Sequence, residues 1–360
     1  MVNHRIAVIP GDGIGPEVVN EAIKVLELIK KLDPSFKIEF DTFDWSSEYY
    51  LKHGKMMPEN ALQTLKKFDA ILFGAIGDKR VPDDVTIWEL IMPIRKQFKQ
   101  YINFRPVKLL KGVSCRFTGE DIDFVIVREN AEGEYSNSGG RLYQGHEQEI
   151  AVQNSIITRS GTKKAARFAF EYAKKHGKET VTSATKSNAI IHSMKLWDEA
   201  VLEVGQEFLA INLKSYYIDA LAAYFVSRPE DFEVVVASNL FGDILSDLGS
   251  AVVGGLGLSP SANLNPEGEF PSMFEPVHGS APDIAGKGIA NPIAQIWSAA
   301  LMLEHLGRKD LASVILESIE QVLVKKEVQT PDLGGSSTTI EMGSAIRGVL
   351  QQLLLVKEGR

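Results

Sequence analysis

Two aspartates stand four positions apart in Asn239-Leu-Phe-Gly-Asp243-Ile-Leu-Ser-Asp247. On a helix this spacing puts both carboxylates on one face, where they can converge on a single hard cation. The neighbours Ile244, Leu245 and Leu248 are apolar, unlike a solvated acidic face, and no His or Cys is close by. Oxygen-only ligation favours Mg²⁺ or Mn²⁺ over zinc; the plainer interpretation is a pair of surface or helix-start charges. Three arginines stand where an anion could meet them. Arg95 is at a helix end, Arg105 lies in Asn103-Phe-Arg105-Pro, and Arg128 follows the apolar run Phe124–Val127. A guanidinium after a buried strand is costly unless it meets an anion. A bidentate carboxylate clamp is the functional interpretation, and structural ion pairs are the alternative. Lys186, in Ala184-Thr-Lys186-Ser-Asn188, follows the strand-like Thr180–Ser183. A lysine beside a divalent cation gives up its proton more readily and can act as a base; in isolation it is an exposed loop residue. Tyr135, in Glu132-Gly-Glu-Tyr135, is open in the same way.

Two loops have the composition of ligand-binding segments. Pro10-Gly11-Asp12-Gly13-Ile14-Gly15-Pro16-Glu17 sits between a strand and a helix. A dinucleotide fingerprint requires glycine where Pro16 stands, so this is not the usual Rossmann phosphate loop; a tight glycine turn is the plainer interpretation. The second, Glu275-Pro-Val-His278-Gly279-Ser280-Ala281-Pro-Asp283-Ile284 through Asn291, mixes small, Gly and Pro residues with sparse polar ones. Such a segment can wrap closely round a ligand. An aspartate in it accepts from ribose hydroxyls and repels a 2′-phosphate.

The elements that must position these residues alternate. Ile6–Ile9, Lys37–Phe43 and Ala70–Phe73 read as strands, and Pro16–Lys31, Asn60–Lys67 and Val85–Phe98 as helices. That predicts an α/β layer with a largely parallel sheet. In the middle, Ile122–Val127 and Val234–Ala237 read as buried strands, Gly161–His176 and Ile190–Val204 as helices, and Glu134–Asn154 as a hairpin or arm. Beyond Gly254 the chain reads as loop, with Pro260, Pro266, Pro271, Pro276 and Pro282, until helices near Pro292–Leu306, Leu311–Lys325 and Ile340–Leu354. The 360 residues suffice for two modules, and 44% hydrophobic with 24% charged residues is ordinary for a globular enzyme. A net charge of −8 provides no basic field for nucleic acid or an anionic membrane. Cys115 is the only cysteine, which excludes an internal disulfide and a Cys-rich zinc site. With no secretory apolar region and no run of transmembrane length, a cytoplasmic protein is expected.

The order of the motifs is more specific than any of them alone. Gly11-Asp-Gly-Ile-Gly-Pro-Glu, Asn103-Phe-Arg-Pro, Val127-Arg-Glu-Asn, Thr185-Lys-Ser-Asn, Asn239-Leu-Phe-Gly-Asp-Ile-Leu-Ser-Asp-Leu and Glu275-Pro-Val-His-Gly-Ser-Ala-Pro-Asp-Ile-Ala-Gly span essentially the whole chain. Together they resemble the β-decarboxylating dehydrogenase family, which includes isocitrate, isopropylmalate and tartrate/D-malate dehydrogenases. The resemblance implies a two-domain α/β, non-Rossmann fold with the active site in an interdomain cleft. Residues 1–103 and 255–360 would form the cofactor-side domain, and 104–254 the second, with a dimerisation arm about 134–154. It further implies a homodimer sharing its active sites, a divalent metal (Mg²⁺ or Mn²⁺) and NAD, and leaves a monovalent cation open.

By the same resemblance, Arg95, Arg105 and Arg128 clamp the substrate carboxylates. Asp243 and Asp247 are metal ligands, joined by Asp219 from the partner subunit, and Lys186 and Tyr135 are the catalytic lysine and tyrosine. Ile14, Asn188, Glu275, His278, Gly279, Ser280, Ala281, Asp283, Ile284 and Asn291 lie where the family touches cofactor. Asp283-Ile284, in place of a basic-aromatic pair, implies NAD. A catalytically silent relative would have lost a metal ligand or the lysine; Asp219, Asp243, Asp247, Lys186 and Tyr135 are all present.

Specificity is expected on Thr86-Ile-Trp88-Glu-Leu-Ile91-Met92-Pro-Ile-Arg95. Glu89 stands where isocitrate enzymes hold a serine for a third carboxylate, and like charge disfavours isocitrate. Trp88 would crowd the pocket beside Ile91, suiting little or no C3 substituent. Trp45-Ser-Ser-Glu-Tyr-Tyr, His53-Gly-Lys-Met-Met-Pro and Ser261-Ala-Asn-Leu-Asn-Pro-Glu also resemble the tartrate/D-malate branch. D-malate or tartrate is therefore the expected substrate, with 3-isopropylmalate the runner-up.

Overall fold

The structure, a computed structural model, describes residues 3–114 and 121–358, so Cys115 lies outside the described residues. Among the described residues twelve strands follow in chain order: β1 (Asn3–Gly11), β2 (Lys37–Thr42), β3 (Ala70–Ala75), β4 (Ile102–Lys108), β5 (Asp123–Glu129), β6 (Gly139–Leu142), β7 (Ile150–Gln153), β8 (Thr180–Thr185), β9 (Asn212–Tyr217), β10 (Val234–Ala237), β11 (Pro260–Leu264) and β12 (Ser272–Pro276). The chain divides into two compact units. One is Met1–Gln100 with Lys108–Arg116 and Ser250–Arg360; the other is Tyr101–Val107 with Phe117–Gly249. No helix among the described residues is long and apolar enough to cross a membrane.

In the first unit the strand order is β2-β1-β3-β12-β11. β1 runs parallel to β2 and β3, β12 runs parallel to β3, and β11 is antiparallel to β12. Ile6 to Ile9 and all of β3 are buried, the continuous apolar reading of a strand covered on both faces. Helix Gly15–Leu32, with Pro16 in its first turn, turns Val18, Val19, Ala22, Val25, Leu26 and Ile29 inward. Burying each of the larger ones stabilises the fold by roughly 2 kcal/mol over leaving it exposed. This helix packs on Thr339–Glu358, and Ile293–His305 packs on Lys309–Lys325.

Two expectations change in this unit. The proline-rich stretch after Gly254 is not all loop: β11 and β12 pair in register Pro260↔Pro276 to Asn263↔Met273. Their prolines stand at a strand start and a strand end, where a missing N–H is tolerated. Ser261, Asn263 and Ser272 replace the β-branched alternation that would have betrayed the strands. The expected helix Val85–Phe98 is broken into Asp83–Thr86, a π-turn Ile87–Ile91 and Met92–Gln97. Pro93 has no N–H, and in an unbroken α-helix its ring would press on the Glu89 carbonyl; the wider π-turn relieves that clash.

In the second unit the order is β4-β5-β10-β8-β9, with β5, β10, β8 and β9 all parallel. β9 and helix Ile218–Ser227 carry no strong apolar period and went unforeseen. β6 and β7 form a separate antiparallel hairpin whose residues are exposed, as the hairpin expectation for Glu134–Asn154 requires.

Parallel α/β sheets bind ligands beyond the carboxyl ends of their strands. In the first unit β1 ends at Gly11, β3 at Ala75 and β12 at Pro276. In the second, β5 ends just past Arg128, β8 just before Lys186, β9 just before Asp219, and β10 just before Asn239.

Gly11 shows how tightly one of these ends is built. Its φ is +73°, and a Cβ there would lie 1.9 Å from the Ala75 carbonyl oxygen. Gly11→Ala should therefore lower the unfolding free energy by more than about 2 kcal/mol, measured by chemical denaturation. A variant as stable as the parent would contradict this packing.

Candidate active site

The second unit gathers the charged residues around the start of helix Asn239–Val252. Arg128 is 3% exposed at the end of β5. Its neighbour in register on β10 is Ala237, two residues before the helix. Arg128 Nη1 donates to Asp243 Oδ1 at 2.5 Å, while Nε and Nη2 donate to Asn239 Oδ1 at 3.0 and 2.7 Å. Arg105, buried on β4, places Nη1 3.2 Å from Asp243 Oδ1 and 3.9 Å from Asp247 Oδ1. Arg105 also donates to Asn103 Oδ1 and Ser246 Oγ, each at 2.5 Å. The Tyr135 hydroxyl donates to Asp243 Oδ2 at 3.1 Å, and the Arg128 guanidinium lies 5.5 Å from its ring centre. The aspartate pair, two of the arginines and the tyrosine thus gather around Asp243.

Lys186 and Asp219 form a second group. Lys186 Nζ contacts Asp219 Oδ1 at 2.5 Å, and this bond holds the Asp219 carboxyl below the usual carboxylate range. Asn188 is exposed in the loop after Lys186.

Asp243 and Asp247 fit a divalent cation by their chemistry. Burial raises the Asp247 pKa; Arg105 opposes that rise, and the like charge of Asp243 adds to it. A hard cation would relieve the repulsion between the two carboxylates. Among the described residues no three His, Cys, Asp or Glu side chains come together as a metal site, and Asp243 and Asp247 offer two carboxylates.

The first unit collects the remaining residues at the ends of β1, β3 and β12. The backbone amides of Asp12 and Ile14 donate to Ala75 and Ser280 carbonyls at 2.8 and 2.9 Å. The Asp12 carboxylate accepts from Ser47 N and Oγ and from Gly77 N, at 2.8, 2.5 and 2.9 Å. A Cβ on Gly13 would lie 2.0 Å from the Ser280 carbonyl oxygen, so only glycine lets the two loops touch. Ile14 packs with Val18 and Ala290 against Ala281 and Ile284. Asn291 donates to Asp332 at 2.9 Å. Gly279 and Asp283 are exposed, and Lys79 Nζ stands 3.4 Å from Asp283. His278 Nδ1 lies 2.9 Å from the Gly279 carbonyl oxygen, which assigns the proton to Nδ1 and leaves Nε2 an acceptor. That Nε2 is buried without a partner, and burial lowers the His278 pKa. An orphaned acceptor beside a loop of small residues fits a nucleotide.

Arg95 Nη2 donates to Glu275 Oε1 at 2.7 Å, and Asn263 Nδ2 donates to the same oxygen at 2.7 Å. Trp88, in the π-turn, is half-buried with Lys96 Nζ 4.8 Å from its ring centre. Ile91 packs into the core with Trp45, Leu90 and Ile94. The sequence singled out the carriers of charge but not the neutral residues that hold them: Asn239, Ser246 and Asn263. These have no periodic signal, and only its fixed place in a motif marks Asn239.

Comparison with known proteins follows the same lines. Residues 5–346 match the family model described as isocitrate/isopropylmalate dehydrogenase. The chain is 51% identical over 355 residues to a probable tartrate dehydrogenase/decarboxylase of Bacillus subtilis, covering 98% of this chain and 99% of that protein. It is 50% identical over 356 residues to the decarboxylating D-malate dehydrogenase of Escherichia coli, covering 96% and 98%. Among solved structures, isocitrate dehydrogenase from Methylococcus capsulatus superposes with a TM-score of 0.89 at 34% identity, covering 97% of this chain and 100% of that one.

Next to Arg128, burial pushes the Glu129 carboxyl up to about 7, although it accepts from Ala131 N and Glu132 N. The stability it contributes is complete below its unfolded value of about 4.5 and is lost as pH rises through about 7. Thermal midpoints should therefore fall from pH 5 to pH 8 more in the parent than in Glu129→Gln, by the equivalent of about 3 kcal/mol. Parallel pH profiles would show that Glu129 titrates normally.

Proposed function

This chain belongs to the isocitrate/isopropylmalate dehydrogenase family, and from that membership we propose that it oxidises and decarboxylates D-malate or tartrate with NAD and Mg²⁺ or Mn²⁺. The coarser statement, a dehydrogenase of the decarboxylating type, follows from relatives that share about half of its residues over nearly the full length. The observation that carries the finer one is the convergence of Arg128, Arg105 and Tyr135 on Asp243, with Asp247 one turn away. That set combines a clamp for an anion, a seat for a cation and a proton donor.

Asp243 and Asp247, with Asp219 of the partner subunit, would hold the cation. Ile14, Asn188, Glu275, His278, Asp283 and Asn291, with the backbone of Gly279, Ser280, Ala281 and Ile284, would hold the dinucleotide. The cation would supply Lewis acidity that makes the hydroxyl proton easier to remove, and the nicotinamide would supply a hydride acceptor. Arg95, Arg105 and Arg128 fix the two carboxylates of the substrate by paired N–H bonds, so that the C2 hydroxyl faces Lys186. Lys186 Nζ, directly or through a water, takes the hydroxyl proton. The 2-keto acid so formed carries a carboxylate β to its carbonyl, and its C–C bond breaks to release CO₂. The Tyr135 Oη–H then protonates the carbon left behind, giving pyruvate from malate. Each homodimer holds two such sites, because Lys186 and Asp219 act in the partner's site. The Asp283 carboxylate selects NAD, since it would repel a 2′-phosphate. A single cysteine suits the reducing cytoplasm in which we place the reaction.

Trp88 carries the choice among substrates. Lys96 Nζ lies 4.8 Å from its ring centre, and an indole this bulky would crowd a C3 substituent. NADH formation with Mn²⁺ should be at least tenfold more efficient on D-malate or a tartrate than on 3-isopropylmalate or isocitrate, a difference of about 1.4 kcal/mol. Preference for 3-isopropylmalate would overturn the reading of Trp88. Lys186→Ala should reduce kcat by about 10²–10⁴-fold, and unchanged turnover would remove Lys186 from the mechanism.

A further inference from the structure

Asn239 stands at the first turn of helix Asn239–Val252 with its side chain 2% exposed. Its two polar atoms face different parts of the site. Oδ1 accepts from Arg128 Nε and Nη2, and Nδ2 donates to the main-chain carbonyl of Glu132 at 2.9 Å. The orientation of the amide is forced, because a guanidinium can only donate and a carbonyl can only accept. We propose that Asn239 is a positioning residue that couples the Arg128 clamp to the loop presenting Tyr135, a role that rests on the function proposed above.

The bonds form a closed circuit. From Asn239 it runs through Arg128 to Asp243, on to the Tyr135 hydroxyl, and back along the chain from Tyr135 to Glu132, whose carbonyl meets Asn239 again. The loop has little freedom to find another path. The Glu132 carboxylate accepts from Thr158 N and Oγ1 at 2.7 and 2.6 Å, and Gly133 pairs with Ile156 through both main-chain groups. Gly133 has φ +76°, and a Cβ there would come 3.3 Å from Asn239 Cβ, so the loop lies directly on the asparagine. Ser136 Oγ closes the turn on the Gly133 carbonyl at 2.5 Å. Removing the amide takes one bond from the buried Glu132 carbonyl and one acceptor from Arg128 Nε and Nη2, which loosens both the loop and the guanidinium.

Substitution of Asn239 should therefore change two kinetic quantities through two different neighbours. Asn239→Ala is expected to raise KM for D-malate about tenfold, by loosening Arg128, and to lower kcat about tenfold, by displacing Tyr135. In an Arg128→Lys background the same substitution should leave KM within twofold of the single variant. In a Tyr135→Phe background it should leave kcat within twofold. A merely structural asparagine would lower the thermal midpoint and give losses that multiply in both backgrounds; that result, or KM and kcat unchanged in Asn239→Ala, overturns the coupling. Should Asn239→Ala fail to fold, Asn239→Asp keeps an acceptor for Arg128 and sets an acceptor in place of the donor to the Glu132 carbonyl. Its fall in kcat should then vanish in the Tyr135→Phe background, and a multiplying loss overturns the coupling. If Arg128→Lys alone leaves KM untouched and Tyr135→Phe alone leaves kcat untouched, the functional reading fails and the coupling falls with it.

Discussion

A guanidinium buried at the carboxyl end of a central strand must be met by acceptors on each of its edges, or the fold bears a penalty of several kcal/mol. Arg128 imposes that constraint on the second unit. Asn239 and Asp243 answer it from one turn of one helix, which requires the helix to begin directly after β10, the strand beside β5. It also requires the helix to lie close. A Cβ on Gly242 would come 2.7 Å from the Arg128 Cβ, so the glycine between Asn239 and Asp243 is part of the same requirement. Sequence, helix start and packing distance are thus fixed by one charge.

The chemistry follows from the same arrangement. Asp243 receives two guanidinium groups and a phenol, while Asp247, one turn on, is exposed, with its pKa raised by desolvation and by its neighbour's charge against the pull of Arg105. The cluster therefore suits a ligand that brings negative charge to the arginines and a cation to the aspartates. A chelated hydroxy acid does both. In the first unit the equivalent constraint is steric: Gly11 and Gly13 let the β1 turn touch the backbones of Ala75 and Ser280, and Asp12 ties the turn to Ser47 and Gly77.

The parts of this architecture that could be read in the sequence are those with a strong physical signature. Ile6–Ile9, Ala70–Phe73 and Val234–Ala237 are unbroken apolar runs, and Asp243 and Asp247 share a helix face by spacing alone. β11 and β12 were hidden because small polar Ser261, Asn263 and Ser272 stand in buried strand positions, and the bonds of Asn263 Nδ2 to Glu275 and of Asn265 N to Ser272 Oγ leave no local pattern. The π-turn at Ile87–Ile91 was hidden because Pro93 acts on a carbonyl four residues earlier. The circuit through Asn239 closes on a main-chain carbonyl of Glu132, and a backbone atom leaves no mark in the residue type. Sequence thus identified the charged groups of the site, while the neutral residues that aim them emerged only from the fold.

The central claim is that Asp243 and Asp247 seat the cation while Arg105 and Arg128 hold the substrate carboxylates. Anomalous diffraction from crystals grown with Mn²⁺ and D-malate tests it most directly. The account predicts one manganese peak between the Asp243 and Asp247 carboxylates, with a malate carboxylate on the Arg105 and Arg128 guanidinium groups. Manganese bound elsewhere, with Asp243 still closed on Arg128, would contradict it.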